Sequence, residues 1–383
     1  MLSACRKSES PLRSEEDRKG IDAIIQRNQN IDSLLVLLDT FKKENDLYGQ
    51  VATYEKLGKV YRENASFENA ILYHKSALEI AIQMNDTLEI VKALNNQGTN
   101  YRRIGILIEA SECHFRALHL IEKMHGRTYE VKKSRLVALN GIGNIYFSLG
   151  NNDAAEKVFR KSLAGEKELD SALGQAINTA NIGSIFESRG QYDSAYVYFQ
   201  QSLSYNQQAQ SKLGISLCYN YFGRLHEKEG KLDEALANYR KAYDIMKGDS
   251  DHWHWLESCI SMARVLLILN NPDSAQTYLA QARETAKAIN SFEHLSAIYK
   301  LDYEYFLGQN DCKRALESYI QSHAYADSVN NKESINHLQN LRVKYELEKN
   351  TQEINQVKQN YMDEQRNKRI ILVVSLLILL MTC

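Results

Sequence analysis

The chain has 383 residues, 44% of them hydrophobic, which is ample for a core and excludes global disorder. Its 47 Lys and Arg residues nearly cancel 48 Asp and Glu, so no whole-protein positive field is present to hold nucleic acid, and no direct nucleic-acid binding is expected. Two prolines, Pro11 and Pro272, against 18 glycines predict long helices with short glycine-marked turns and exclude an all-β protein.

Residues 1–13 read as a polar tether. Residues 14–50 hold a weak helix over Glu15–Gln29 and an amphipathic one over Ile31–Lys43, with Ile31, Leu34, Leu35, Leu38 and Phe41 on one face, together an N-terminal capping pair. From residue 51 to 330 the chain repeats. Gly58, Gly98, Gly143, Gly183 and Gly223 follow one another at steps of 40, 45, 40 and 40 residues. Taking each glycine as place eight of its unit, place twenty is always alanine: Ala70, Ala110, Ala155, Ala195 and Ala235. Place twenty-four carries a ring (His74, His114, Phe159, Phe199, Tyr239), and place twenty-seven is Ala77, Ala117, Ser162, Ser202 and Ala242. Two degenerate units continue through Ala263, Ala275, Leu279 and Ala282, then Tyr303, Ala315, Tyr319 and Ser322. Small residues at these places let two antiparallel helices approach, the ring fills the gap to the neighbouring unit, and place fifteen (Gly105, Gly150, Gly190 and Gly230, with Ala65 in the first unit) ends the first helix. No unit buries its apolar face alone, so the units must stack into one quasi-one-dimensional array instead of the two or three domains that length suggests. Turns between units are expected near Asn85-Asp86, Asp170-Ser171 and Gln210-Ser211, and the 45-residue step as a longer exposed loop near His125-Gly126-Arg127.

Residues 331–369 lack glycine, proline and cysteine and are dominated by Lys, Glu, Gln and Asn, which predicts a long polar helix and a candidate coiled-coil homodimer contact. Residues 370–383, IILVVSLLILLMTC, are uncharged and follow Arg366, Lys368 and Arg369; they read as a membrane span that the chain ends inside. The six cysteines lie far apart and form no CxxC pair, so the internal four are expected to be free thiols.

Chemistry is scarce. Gly141-Ile142-Gly143 begins like a dinucleotide fingerprint but lacks its third glycine and a preceding strand. His252-Trp253-His254-Trp255 looks like a metal motif, yet residues two apart do not share a helix face and no acidic or cysteine partner is evident, so a packing or groove role is expected. No GxSxG, HExxH or Walker loop occurs. The reading is a non-enzyme without catalytic residues, cofactor or metal.

The segments GIGNIYFSLGNNDAAEKVFRKSL and NIGSIFESRGQYDSAYVYFQQSL resemble the tetratricopeptide repeat (TPR) family in their small-residue and aromatic code, over about residues 51–325. That resemblance implies an all-α, right-handed superhelical solenoid of about seven helix pairs, here followed by the long helix and the apolar transmembrane helix. The 40-residue period is longer than the family's usual 34, similar to kinesin light chains and bacterial peptide-sensing TPR proteins. The family's first helices line a concave surface, chiefly through places two, five, nine, twelve and thirteen. Carried over, place five gives Asn95, Asn140 and Asn220, with Ala180 breaking the series, an amide ladder suited to an extended peptide, and places nine, twelve and thirteen give Lys59, Arg62, Arg102, Arg103 and Asn144, suited to carboxylates. The order of repeats, polar helix and span resembles the sensory half of Bacteroidetes-type TPR membrane signalling proteins. Leu2-Ser3-Ala4-Cys5 resembles a bacterial lipoprotein box, with Cys5 as the lipidated residue and the repeats periplasmic; the flanking Arg/Lys cluster taken alone places them in the cytoplasm. The implied function is a membrane-anchored TPR protein that binds a peptide or protein partner in its groove. The alternatives are a non-signalling membrane scaffold and a cytoplasmic peptide-responsive regulator.

Overall fold

The computed structural model describes residues 14–64, 66–124, 126, 128–248, 251–329 and 366. Cys5, the polar helix and dimer contact expected over 331–369, and the apolar segment 370–383 lie outside these, apart from Arg366. Among the described residues no helix is long and apolar enough to cross a membrane.

The described chain up to residue 329 is sixteen helices with no strand: α1 Glu15–Gln26, α2 Ile31–Lys43, α3 Leu47–Glu63, α4 Phe67–Gln83, α5 Thr87–Arg103, α6 Leu107–Glu122, α7 Tyr129–Ser148, α8 Asn152–Glu168, α9 Ala172–Ser188, α10 Tyr192–Gln208, α11 Lys212–Lys228, α12 Leu232–Met246, α13 His252–Ile268, α14 Pro272–Ala288, α15 Phe292–Gly308 and α16 Cys312–Val329. Each packs on the next from α2 onward, as an array of helix pairs requires. The forty-residue period is two seventeen-residue helices and two three-residue turns, as in α3 and α4. The 45-residue step is shared differently from expectation. The connection 123–128 takes some of the extra residues, and α7 takes the others by starting early and running to twenty residues.

Turn chemistry recurs along the array. The first helix ends on a left-handed residue, Gly105, Gly150, Gly190 or Gly230, replaced by Asn270 and Asn310 in the degenerate units. Between units the left-handed residue is Asn45, Asn85, Asp170, Gln210 or Asn290, and the residue after it starts the next helix. The side chains of Asp46, Asp86, Ser171 and Ser211 accept from the first-turn amides that no helix bond can reach.

Packing follows the small-residue code. The seven place-twenty alanines, Ala70 through Ala315, are all buried. Each place-twenty-four ring lies over its own unit's glycine: a Cβ on Gly143 would stand 2.5 Å from Phe159 and one on Gly183 2.7 Å from Phe199. The same rings belong to clusters shared with the next unit, Phe159 with Ile182 and Ile185, and Phe199 with Cys218, Phe222 and Leu225. Gly141 has its own reason to be glycine: the His114 ring fills the space its Cβ would take, at 2.4 Å. In α2, Leu34, Leu38 and Phe41 are buried together with Tyr48, Leu57 and Val60 of α3. Cys113, Cys218 and Cys259 are buried free thiols, and Cys312 is an exposed one.

Candidate functional site: the arginine-lined interior of the coil

The place-five asparagines form a series, but a buried one. Asn95 and Asn220 are only 4% and 2% exposed. Asn95 Nδ2 donates to the Ser134 carbonyl on the following first helix, and its Oδ1 lies 3.2 Å from His114 Nδ1. Asn220 exchanges two hydrogen bonds with Ser258, and half-buried Asn140 donates to Asn178 Oδ1 at 3.2 Å. Each bond therefore joins one first helix to the next, 38 or 39 residues on. In this structure the amides of Asn95 and Asn220, expected to read a ligand, are engaged at the seam between repeats, where an unpaired amide would be costly. Asn144 donates back to Asn140 within α7, and Lys59 is exposed and 3.9 Å from Glu63.

The arginines behave differently. Place twelve changes sign along the array, from Arg62 and Arg102 to Glu187 and Glu227. In the later units each glutamate receives a bidentate arginine from place nine of the next unit. Arg224 reaches Glu187 at 2.6 Å through both nitrogens, with Lys228 at 2.9 Å, and Arg264 reaches Glu227 at 2.7 and 2.9 Å. Burial alone lowers an arginine, yet the paired carboxylates win and hold Arg224 and Arg264 above the ordinary guanidinium value.

Arg62, Arg102 and Arg103 show the opposite sign. Burial first, and then repulsion from Arg103 for Arg62 and Arg102, pulls all three below the ordinary value, Arg102 to about 10. Arg62 donates only to neutral amides, Asn96 at 3.1 Å and Asn100 at 3.4 Å. Arg102 makes no hydrogen bond or ion pair among the described residues. All three are half-buried and keep partial solvent access. Nearby on α3, burial and then Glu89 push the Glu55 carboxyl up to about 7 while Asn96 donates to it.

The coil closes across these residues. Arg103 Nη1 lies 3.1 Å from His254 Nε2, a contact between side chains 151 residues apart. Arg103 also stands over the Trp253 ring at 5.8 Å, Phe67 meets Trp253 edge-on at 5.1 Å, and Trp253 meets His294 at 4.5 Å. Glu257 and Glu293 act on the same arginines from α13 and α15, and burial and then Glu257 raise Glu293. His254 Nδ1 is 2.6 Å from Asp251 Oδ2, an acidic partner next to the HWHW motif that the sequence reading overlooked. Taken together, contacts of these types amount to about 2–5 kcal/mol, enough to hold the closure and too little to make it permanent. Trp253, His254, Glu257 and Glu293 are the site residues that sequence reasoning missed; only the HWHW motif hinted at them.

Residues 130–382 match the MalT-like TPR region. The chain belongs to the MalT-like TPR region family. Among curated proteins none matches the sequence. Solved structures with the same fold include NprR in complex with its cognate peptide NprX, at 17% identity and TM-score 0.63, with 84% of this chain and 90% of that one covered. A Rap protein complexed with competence and sporulation factor aligns at 16% identity and TM-score 0.61, over 83% and 88% of the two chains. Aspartyl phosphate phosphatase F from Bacillus subtilis aligns at 14% identity and TM-score 0.54, over 80% and 78%. At these identities the likeness is one of fold.

Proposed function

We propose that this TPR chain is a peptide-binding regulator that takes an acidic or carboxylate-terminated peptide into the interior of its coil. The observation that carries the reading is Arg102, a guanidinium with no hydrogen-bond acceptor among the described residues, grouped with Arg62, whose hydrogen-bond partners are amides, and Arg103, whose hydrogen-bond partner is an imidazole. Arginine recognises a carboxylate through paired N–H donors, and such charge-assisted bonds are the strong ones. Peptide complexes of the similarly folded NprR and Rap proteins support the ligand class, and the role assigned is binding, not catalysis. The test is to pan a random peptide library with free C-termini against the full chain and titrate the enriched peptides by fluorescence anisotropy. Enriched sequences should carry a carboxylate, and Arg102→Ala should weaken binding about 10- to 100-fold. Enrichment without acidic groups, or indifference to Arg102→Ala, would overturn the reading.

We infer also that the full chain works at a membrane, as the sensory part of a signalling or transcription-regulating system. The support is sequence only: the Leu2-Ser3-Ala4-Cys5 box and the uncharged stretch 370–383. Labelled palmitate supplied to bacterial cells should be incorporated into the chain and lost with Cys5→Ser; an unlabelled chain would remove the lipid anchor from the proposal.

A further inference from the structure

We propose that the side-chain bridge between α4–α5 and α13–α15 is a gate over the arginine-lined interior, and that a carboxylate ligand opens it by taking Arg103 from His254. The bonding pattern is directional. Arginine has five donors and no acceptor, so His254 Nε2 must accept from Arg103 Nη1 at 3.1 Å. The ring proton then sits on Nδ1 and is donated to Asp251 Oδ2 at 2.6 Å. A neutral imidazole is a weaker acceptor for a guanidinium than a carboxylate, so a ligand carboxylate exchanges a weak partner for a strong one. Arg103 also holds Trp253 through its face, so drawing Arg103 toward a ligand loosens both contacts at once. What then remains of the bridge is the Phe67 edge on Trp253, backed by His294.

The gate has the make-up of an openable closure. It joins helices from opposite ends of the array through a handful of side chains, whereas successive helices elsewhere are packed along their lengths. The charges around the bridge form one constellation: Asp251, Glu257 and Glu293 act on Arg103, Asp251 and His294 interact with His254, and Arg103 acts on Arg102. A ligand charge placed at Arg102 therefore acts directly on the closure. Closure itself is independent of the peptide reading; only the trigger rests on it.

Spin labels test both. Labels at Leu72→Cys on α4 and Ile268→Cys on α13, both exposed, span the gate in a full chain whose Cys5, Cys312 and Cys383 are replaced by serine. The unliganded chain should give one narrow distance population. The double variant Trp253→Ala/His254→Ala should add a longer one, as should Arg103→Gln should the double variant prove unfolded by circular dichroism. A folded variant with an unchanged distribution overturns the gate. Hexa-aspartate serves as the probe of the trigger, its binding followed separately by anisotropy of a labelled copy. Binding with a longer population supports the proposal. Binding without one overturns the trigger and leaves the peptide reading standing. Absence of binding with an open double variant overturns the acidic-side-chain trigger and leaves the gate.

Discussion

Replacing Phe199 with alanine should cost about 3–5 kcal/mol, the range for removing a fully buried aromatic side chain. Phe199 is 0% exposed and lies over Gly183 of its own unit. It stacks on Tyr221 of the next unit with ring centroids 4.7 Å apart and shares a buried cluster with Cys218, Phe222 and Leu225. The ring therefore belongs to two interfaces, within its helix pair and between pairs, and neither can collapse into the space without the other shifting. The neighbouring Val197 is 51% exposed, and Val197→Ala should stay within about 0.5 kcal/mol. Because stability in an array is a sum of unit and nearest-neighbour terms, the loss should be local. Hydrogen exchange should rise in α9 to α12 while α3 and α4 keep their protection. Uniform loss of protection along the array, or a cost near that of Val197→Ala, would count against this account.

The parts of the fold that were legible in sequence are those set by sterics inside one helix pair. Alanine at place twenty, a ring at place twenty-four and a left-handed residue at the turn recur because the same close approach recurs, so the pattern shows without any partner being known. The partners of the asparagines are not legible in sequence for the converse reason. Whether Asn95 faces a ligand or the next helix depends on the residue 39 places on, Ser134, whose carbonyl takes its amide. Periodicity puts Asn95 on the inner side of the array but says nothing of how tightly consecutive first helices close there. The bridge from Arg103 to His254 is further out of reach. It depends on small rotations summed from α5 to α13, and a slight change in each would leave the two side chains far apart. The carboxylate pairs of Glu187 and Glu227 could have been found, since each has an arginine 37 residues later, but that step crosses two turns and no helix-face rule covers it.

Acidification from pH 7 to 5 should destabilise the array steeply through three buried histidines. His74, His114 and His294 are each pushed down to about 3, by burial first and then by Arg62 for His74, Arg102 for His114, and His254 and Arg103 for His294. In the unfolded chain a histidine titrates near 6.5. Below that value the unfolded state takes up protons that the folded state refuses, so stability present above about pH 6.5 is lost as pH falls toward 3. Glu55 opposes this. Its carboxyl, raised to about 7, binds a proton in the folded state that the unfolded state does not take until about 4.5. The net uptake on unfolding is about two protons, or about 3 kcal/mol per pH unit near pH 5.5, against a typical total of about 5–15 kcal/mol. His74→Phe isolates the cause. His74 is fully buried with both ring nitrogens unbonded, at the place where two other units carry phenylalanine. The variant should gain about 1–3 kcal/mol at pH 7 by removing those unpaired groups. It should also lose about 1.4 kcal/mol per pH unit of the acid slope, the share of one histidine. Urea unfolding followed by circular dichroism at pH 7, 6 and 5 measures both quantities. A flat wild-type profile over that range, or a variant running parallel to it, would show that these histidines take up protons in the folded state as well.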